Sequence, residues 1–113
     1  MILISMLVAW MTMIMPENVK LLTFTARTDS NKNILEWRTS NEINMREIIV
    51  ERSEDGALFK GIAWITPKGA VKGPGTYRYT DACKAPEVYY RLRMVEANGK
   101  DHVSKVITLI TKS

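Results

Sequence analysis

Ile34-Leu35-Glu36-Trp37-Arg38-Thr39 alternates in polarity from one residue to the next, and its reading decides the fold. On an extended chain, successive side chains point to opposite faces, so Leu35, Trp37 and Thr39 share one face and Ile34, Glu36 and Arg38 share the other. The Leu/Trp face is expected to be buried, because Glu and Arg are rarely buried unpaired. A fully buried indole removes a large apolar area from water, worth about 4–6 kcal/mol at the usual coefficient as an upper bound. Trp37 is therefore the leading core residue, preferred over the reading of an exposed ligand platform.

Working outward, the same two-residue period recurs in runs at residues 20–26, 47–52, 59–65, 76–80, 88–95 and 103–110. With residues 34–39 these make seven strands separated by turn chemistry, and no helical stretch lies between them. An all-β, seven-stranded sandwich is expected. Ile48 and Val50 face its interior. Arg52 follows on that side, its stem covering the core edge while its guanidinium reaches a carboxylate or the rim. Tyr90, Leu92 and Met94 share another inward face. Tyr90 is expected to bury its ring and return its hydroxyl to a backbone carbonyl, a corner that locks the strand crossing. Trp37, Val50, Tyr90 and Leu92 form the predicted structural core.

The connections carry their own signals. Asp29-Ser30-Asn31-Lys32-Asn33 has the composition of a tight polar turn, and Gly56 supplies a positive φ after residues 53–55. Asn98-Gly99 tolerates a primed hairpin turn. In residues 40–45 the polar side chains are expected to bond local backbone while Ile43 or Met45 plugs the end of the sandwich. Residues 67–75 hold three glycines and two prolines and read as a long surface loop, mobile or pinned by Val71.

Composition excludes several chemistries. A chain of 113 residues supports one modest core. Sixteen basic and 12 acidic residues give a net charge of +4, but they are scattered, without the clustering of a nucleic-acid footprint, so no specific nucleic acid is expected. Cys83 and His102 stand alone in their types, which rules out an internal disulfide and the usual zinc sets. Asp29, Asn31 and Asn33 begin like a calcium loop, but Ile34 stands where that loop requires glycine and Ser40 where it requires a bidentate carboxylate. The glycine-rich loop lacks phosphate-binding spacing. His102 and Ser104 have no evident orienting carboxylate, and Glu42 has no acid/base partner in sequence. No metal, cofactor or catalytic residue is expected, and the chain is read as not an enzyme.

Residues 1–16 are uncharged apart from the amino terminus. As a helix the roughly 15 residues before Pro16 would reach about 22 Å, short of a bilayer core, so this is no convincing transmembrane span. A signal remnant or misplaced start, an apolar segment buried on the domain or against another chain, and a membrane-associating segment are the three readings. The chain divides into this apolar segment, residues 1–16, and a domain at residues 17–113.

One surface stands out as a contact candidate. Tyr89, Arg91 and Arg93 lie on the outward face of their strand as an aromatic and basic stripe, although ordinary sheet pairing also accounts for them. Trp64, which continues the apolar pattern of its own run, is the other aromatic candidate for the contact surface. Residues 67–75 are a further place to look.

The stretches at residues 19–26, 35–44 and 48–56, with Tyr77-Arg78-Tyr79-Thr80-Asp81, Tyr89-Tyr90-Arg91-Leu92 and Asn98-Gly99-Lys100, resemble in order and spacing the fibronectin type III-like modules of secreted and cell-surface Bacteroidetes proteins, the type that precedes a carboxyl-terminal sorting domain. The resemblance covers roughly residues 19–110. It implies an immunoglobulin-like Greek-key sandwich, with Trp37 and Tyr90 at core positions and Glu42, Glu51 and Arg52 at framework positions. Ile48 departs from it, standing where an aromatic is usual. The function implied is a non-catalytic structural spacer or interaction module of a secreted or surface assembly, with a carbohydrate- or protein-binding adhesion module as the alternative. A protein partner, self-association through strand edges or a carbohydrate ligand are the partners this allows.

Overall fold

The computed structural model describes residues 21–68 and 73–111, and within them the chain is all strand and turn. The elements are β1 (Leu21–Asp29), β2 (Lys32–Thr39), β3 (Met45–Ser53), β4 (Lys60–Ile65), β5 (Gly75–Asp81), β6 (Glu87–Glu96), β7 (Asp101–Val103) and β8 (Ile107–Ile110). β1, β2 and β5 form a first antiparallel sheet in that order. The second runs β4-β3-β6-β7, with β8 also paired to β6. Two such sheets, each with one apolar face, bury those faces against each other in a β-sandwich type of architecture.

The alternation seen in β2 is realised: Asn33, Leu35, Trp37 and Thr39 are buried, and Lys32 and Arg38 are exposed. The first sheet contributes Phe24, Leu35, Trp37 and Tyr77 to the core, and the second contributes Ile48, Val50, Val88, Tyr90, Leu92 and Met94. Trp37 sits at the centre of an aromatic row, stacked on Tyr77 at 5.3 Å and 12° and met edge-on by Phe24 at 6.5 Å and 87°. Strand register makes this row, since Phe24, Trp37 and Tyr77 are direct cross-strand neighbours. The buried Trp37 Nε1 proton has no hydrogen-bond partner among the described residues, where the indole is held by packing.

Two local expectations are corrected. The last run is two strands rather than one: β7 pairs Arg93, Met94 and Val95, and β8 pairs residues 87–90. Ser104 bridges the break, its N–H donating to the Leu92 carbonyl at 2.8 Å and its hydroxyl accepting the Leu92 N–H at 2.9 Å. A side-chain oxygen thus replaces the ladder carbonyl, and Lys105 and Val106 are turned out into solvent. At the β6–β7 hairpin only Gly99 takes a positive φ (95°). Gly99 N–H donates to the Glu96 carbonyl at 2.9 Å, so a four-residue turn followed by one left-handed residue replaces the two-residue primed turn. The primed geometry occurs instead at Ser30 and Asn31, with φ of 53° and 70° between the paired Asp29 and Lys32.

The expectation for residues 40–45 holds in one of its two forms, with a buried carboxylate added. Ile43 is exposed and Met45 is the one of the pair buried in the core, and beside it the wholly buried Glu42, which sequence left without a partner, also closes this end of the sandwich. Residues 1–16 and Val71 lie outside the described residues. No helix among the described residues is long and apolar enough to cross a membrane.

Candidate functional site

Two buried polar clusters cap the aromatic row, one at each end of β2. At the β2–β3 end, the Tyr77 hydroxyl donates to the Glu42 carboxyl at 2.6 Å and the Thr39 hydroxyl donates to it at 2.7 Å. Asn44, at φ 69°, makes the turn that swings Glu42 inward, closed by Met45 N–H to the Glu42 carbonyl at 3.0 Å. A side chain at position 75 would collide with this cluster, since a Cβ there would lie 2.5 Å from Glu42 Oε2 and 2.7 Å from the Tyr77 ring. Burial and the bond to Glu42 push the Tyr77 phenol well above its ordinary range. It stays protonated and donating.

At the other end, Tyr90 donates to Asp81 at 2.5 Å and accepts from Asn33 Nδ2 at 2.8 Å, and Arg52 Nη1 bonds both Asp81 oxygens at 2.7 and 2.8 Å. Arg52 and Tyr90 come from the second sheet, Asn33 and Asp81 from the first, so the cluster ties the sheets together. The expected corner is corrected: the Tyr90 hydroxyl meets side chains of the facing sheet, because Asp81 at the end of β5 points inward beside it. Burial, then the bond to Asp81, push the Tyr90 phenol far above its usual range. The groups of both clusters are engaged by neighbouring side chains and backbone, with Lys68 N–H also donating to the Tyr77 hydroxyl at 2.7 Å, and both are frameworks rather than open sites.

The outer face of the second sheet is different. Register places Trp64, Ile49, Arg93 and Val103 in one row across β4, β3, β6 and β7, and Glu51 beside Arg91 in the adjacent row. Arg91 and Arg93 are not free: their Nε atoms lie 2.7 and 2.8 Å from the two oxygens of Glu51, and Arg93 also reaches Asp101 at 2.6 Å. Burial raises the Glu51 carboxyl's affinity for a proton, but the guanidiniums of Arg93 and Arg91 outweigh it and hold the group below its ordinary range. Arg91 also stacks on Phe59 at 4.1 Å from the ring centroid. The basic stripe of the sequence is thus a self-neutralised band.

Trp64 is the exception. It is 61% exposed, yet one edge is fixed: a Cβ at Gly61 would lie 2.8 Å from its Cζ2 and 3.1 Å from Ile49 Cγ2. Glycine at 61 lets the indole lie against the strand backbone, leaving an aromatic surface open to solvent. Tyr89 is half-buried against Gly56 and bonds Glu87 through its hydroxyl. It pairs with Ser53, four residues along β3 from Ile49, so it stands about 13 Å along the strand direction from the Trp64 row. The structure puts the four candidate residues on one face without closing them into a pocket.

Trp37, Val50, Tyr90 and Leu92 are all buried. Glu42 and Glu51 were undervalued by sequence reading. Glu51 stood on an outward strand position, and its cross-strand arginines were the available signal. His102 bonds Glu96 at 2.5 Å, whereas Ser104 is bound to Leu92, so the two are engaged apart. Among the described residues no group of three or more His, Cys, Asp or Glu is arranged to hold a metal ion.

No family model and no curated protein matches this sequence. Solved structures similar to it include pectate lyase Pel3 from Pectobacterium carotovorum, at 17% identity and a TM-score of 0.62, with 86% of this chain and 28% of that chain covered. Pectate lyase PelI from Erwinia chrysanthemi, solved with tetragalacturonic acid, is similar at 19% identity and a TM-score of 0.58, with 81% and 28% covered. The chain spans a little over a quarter of those enzymes' length, and the likeness is one of fold.

Proposed function

We propose that this is a non-catalytic carbohydrate-binding module of an extracellular protein, built as a fibronectin type III-like sandwich, with Trp64 at the centre of its contact surface. The observation that carries the reading is the exposed, backbone-braced indole of Trp64. A flat aromatic face held in place offers a sugar ring apolar contact at little entropic cost, because its orientation is fixed before binding. Arg93, in the same row, keeps a part-exposed guanidinium edge beside it. Sheet orders of β1-β2-β5 and β4-β3-β6-β7, with β4 beside β3 rather than β5, support the fibronectin type III-like assignment over a constant-type immunoglobulin arrangement. Fold similarity to part of two pectate lyases, one solved with an oligosaccharide, favours a carbohydrate over a protein ligand and an extracellular setting.

The test is affinity electrophoresis of the protein through gels containing neutral and acidic plant and bacterial polysaccharides. Retardation by at least one polysaccharide is expected, with Trp64→Ala weakening it by about tenfold, the scale of one lost aromatic anchor, while leaving the unfolding midpoint unchanged. Equal mobility of wild type and variant in every gel would leave the spacer role implied by the sequence resemblance as the better description.

A further inference from the structure

The opposite face of the molecule carries a second feature. Outward residues of the first sheet fall into rows set by register: Thr23, Arg38 and Thr76 in one, Thr25, Glu36 and Arg78 in the next, Arg27, Ile34 and Thr80 in the third. Glu36 is clasped by Arg78 at 2.7 Å and Arg27 at 2.9 Å. Arg38 is exposed and has no hydrogen-bond or ion-pair partner among the described residues. Beside it, Lys68 leans over the β5 edge, its Nζ 3.1 Å from the Thr76 carbonyl and 5.3 Å from the Tyr77 ring centroid. Thr23, Thr25, Arg38, Lys68, Thr76 and Arg78 line an open depression together with the arginine-clasped Glu36. The hydroxyls of Thr23, Thr25 and Thr76 make no hydrogen bond among the described residues.

From this we infer that the first sheet's outer face is a second docking surface, for an acidic polysaccharide chain carrying uronate carboxylates, with Arg38 and Lys68 as the anion contacts. Charge complementarity is the ground. Arg27, Arg38, Arg78 and Lys68 face the single carboxylate of Glu36, and the exposed Asp29 at the far hairpin is matched by the opposed Lys32. A planar guanidinium suits a carboxylate in bidentate fashion, and a lysine adds a mobile point charge. Unused threonine hydroxyls between them match sugar hydroxyls. None of the described outward residues of β1, β2 and β5 is aromatic, and Trp37 and Tyr77 beneath them are buried, which disfavours stacking of single-stranded nucleic acid. Among the described residues the face's apolar exposure comes from the half-buried Ile34 and from Leu22 at the start of β1, neither of them an aromatic anchor of the kind that centres a protein interface. Ligand class here rests on the carbohydrate reading above.

Isothermal titration of the full chain with polygalacturonate, with the same polymer fully methyl-esterified, and with single-stranded DNA tests this. Binding to polygalacturonate is expected to fall with added salt and to be lost on esterification. An Arg38→Ala/Lys68→Ala double variant should bind about tenfold more weakly, as expected for two charge-assisted contacts, with an unchanged circular dichroism spectrum. Trp64→Ala should retain the salt and ester dependence. Equal binding of the acid and ester forms, indifference to the double variant, or equally tight binding of DNA would each overturn the inference. If Trp64→Ala weakens binding to a neutral glycan while the double variant changes nothing, only this surface fails. If the wild type binds no glycan of either kind, the carbohydrate reading fails with it.

Discussion

Tyr90 shows how much a single polar atom can fix. Its hydroxyl is simultaneously donor to Asp81 and acceptor from Asn33, with Arg52 closing the set from the same sheet as Tyr90. Removing it leaves two buried groups with fewer bonds than they need, and a buried group deprived of its partner costs more than the bond itself contributed. Tyr90→Phe is expected to lower stability by about 1–3 kcal/mol with the fold retained, read as a shift of the urea midpoint at constant slope. A midpoint within error of wild type would mean that the inter-sheet cluster is ornamental. Glu42 and Gly75 are coupled in the same way at the other end. The space into which Glu42 folds exists because position 75 has no side chain.

Strands are set by turns as much as by their own alternation. The β1–β2 hairpin closes with two residues, Ser30 and Asn31, both in the left-handed region. Asn is at ease there and Ser is not, and glycine at the second position relieves the strain entirely. The pair of changes Ser30→Asn and Asn31→Gly is expected to raise stability by about 0.5–1 kcal/mol, seen as a higher thermal midpoint. An unchanged or lower midpoint would indicate that the register from Asp29↔Lys32 to Thr25↔Glu36 is held by cross-strand pairs alone. The break between β7 and β8 belongs to the same scale. Ser104 is a strand residue by pattern, yet its short hydroxyl competes successfully for the Leu92 N–H.

Across the whole molecule, charge and burial give stability a defined pH profile. Arg78 and Arg27 hold the Glu36 carboxyl below its ordinary range, and the guanidiniums around Glu51 do the same there against its burial. Backbone N–H groups of Leu58 and Ala57, with the Ser53 hydroxyl, lower Asp55 to about 2. Groups with depressed folded values contribute stability that is present above their unfolded values near pH 4 and is lost as pH falls toward 2. Tyr77 and Tyr90 run the other way. Their raised values mean that the unfolded chain gives up phenolic protons first, so their contribution is complete below about pH 10 and declines above it. Urea midpoints should therefore be level through neutral pH, fall below about pH 4.5 and fall again above about pH 10. A midpoint that held steady from pH 9.5 to 11.5 would contradict the donor roles given to the two tyrosines.

The sequence by itself determined the layers. Period-two alternation placed the strand-forming runs and the buried face of β2, because burying Leu35 and Trp37 while wetting Glu36 and Arg38 leaves one choice of face there; it did not show that the last run breaks at Ser104. Lone Cys83 and His102 closed off disulfide and zinc chemistry for the same local reason: composition needs no fold. Only the tertiary structure decided which polar residues meet. Tyr90, Asp81, Asn33 and Arg52 are distant in sequence, and alternation cannot say which carboxylate will lie opposite which phenol. Nor could a local reading tell which of Trp64, Arg91 and Arg93 is left open to solvent. Trp64 read as part of an apolar run and the arginines as outward residues until cross-strand register gave the two arginines to Glu51 and left the indole, braced by Gly61, facing water.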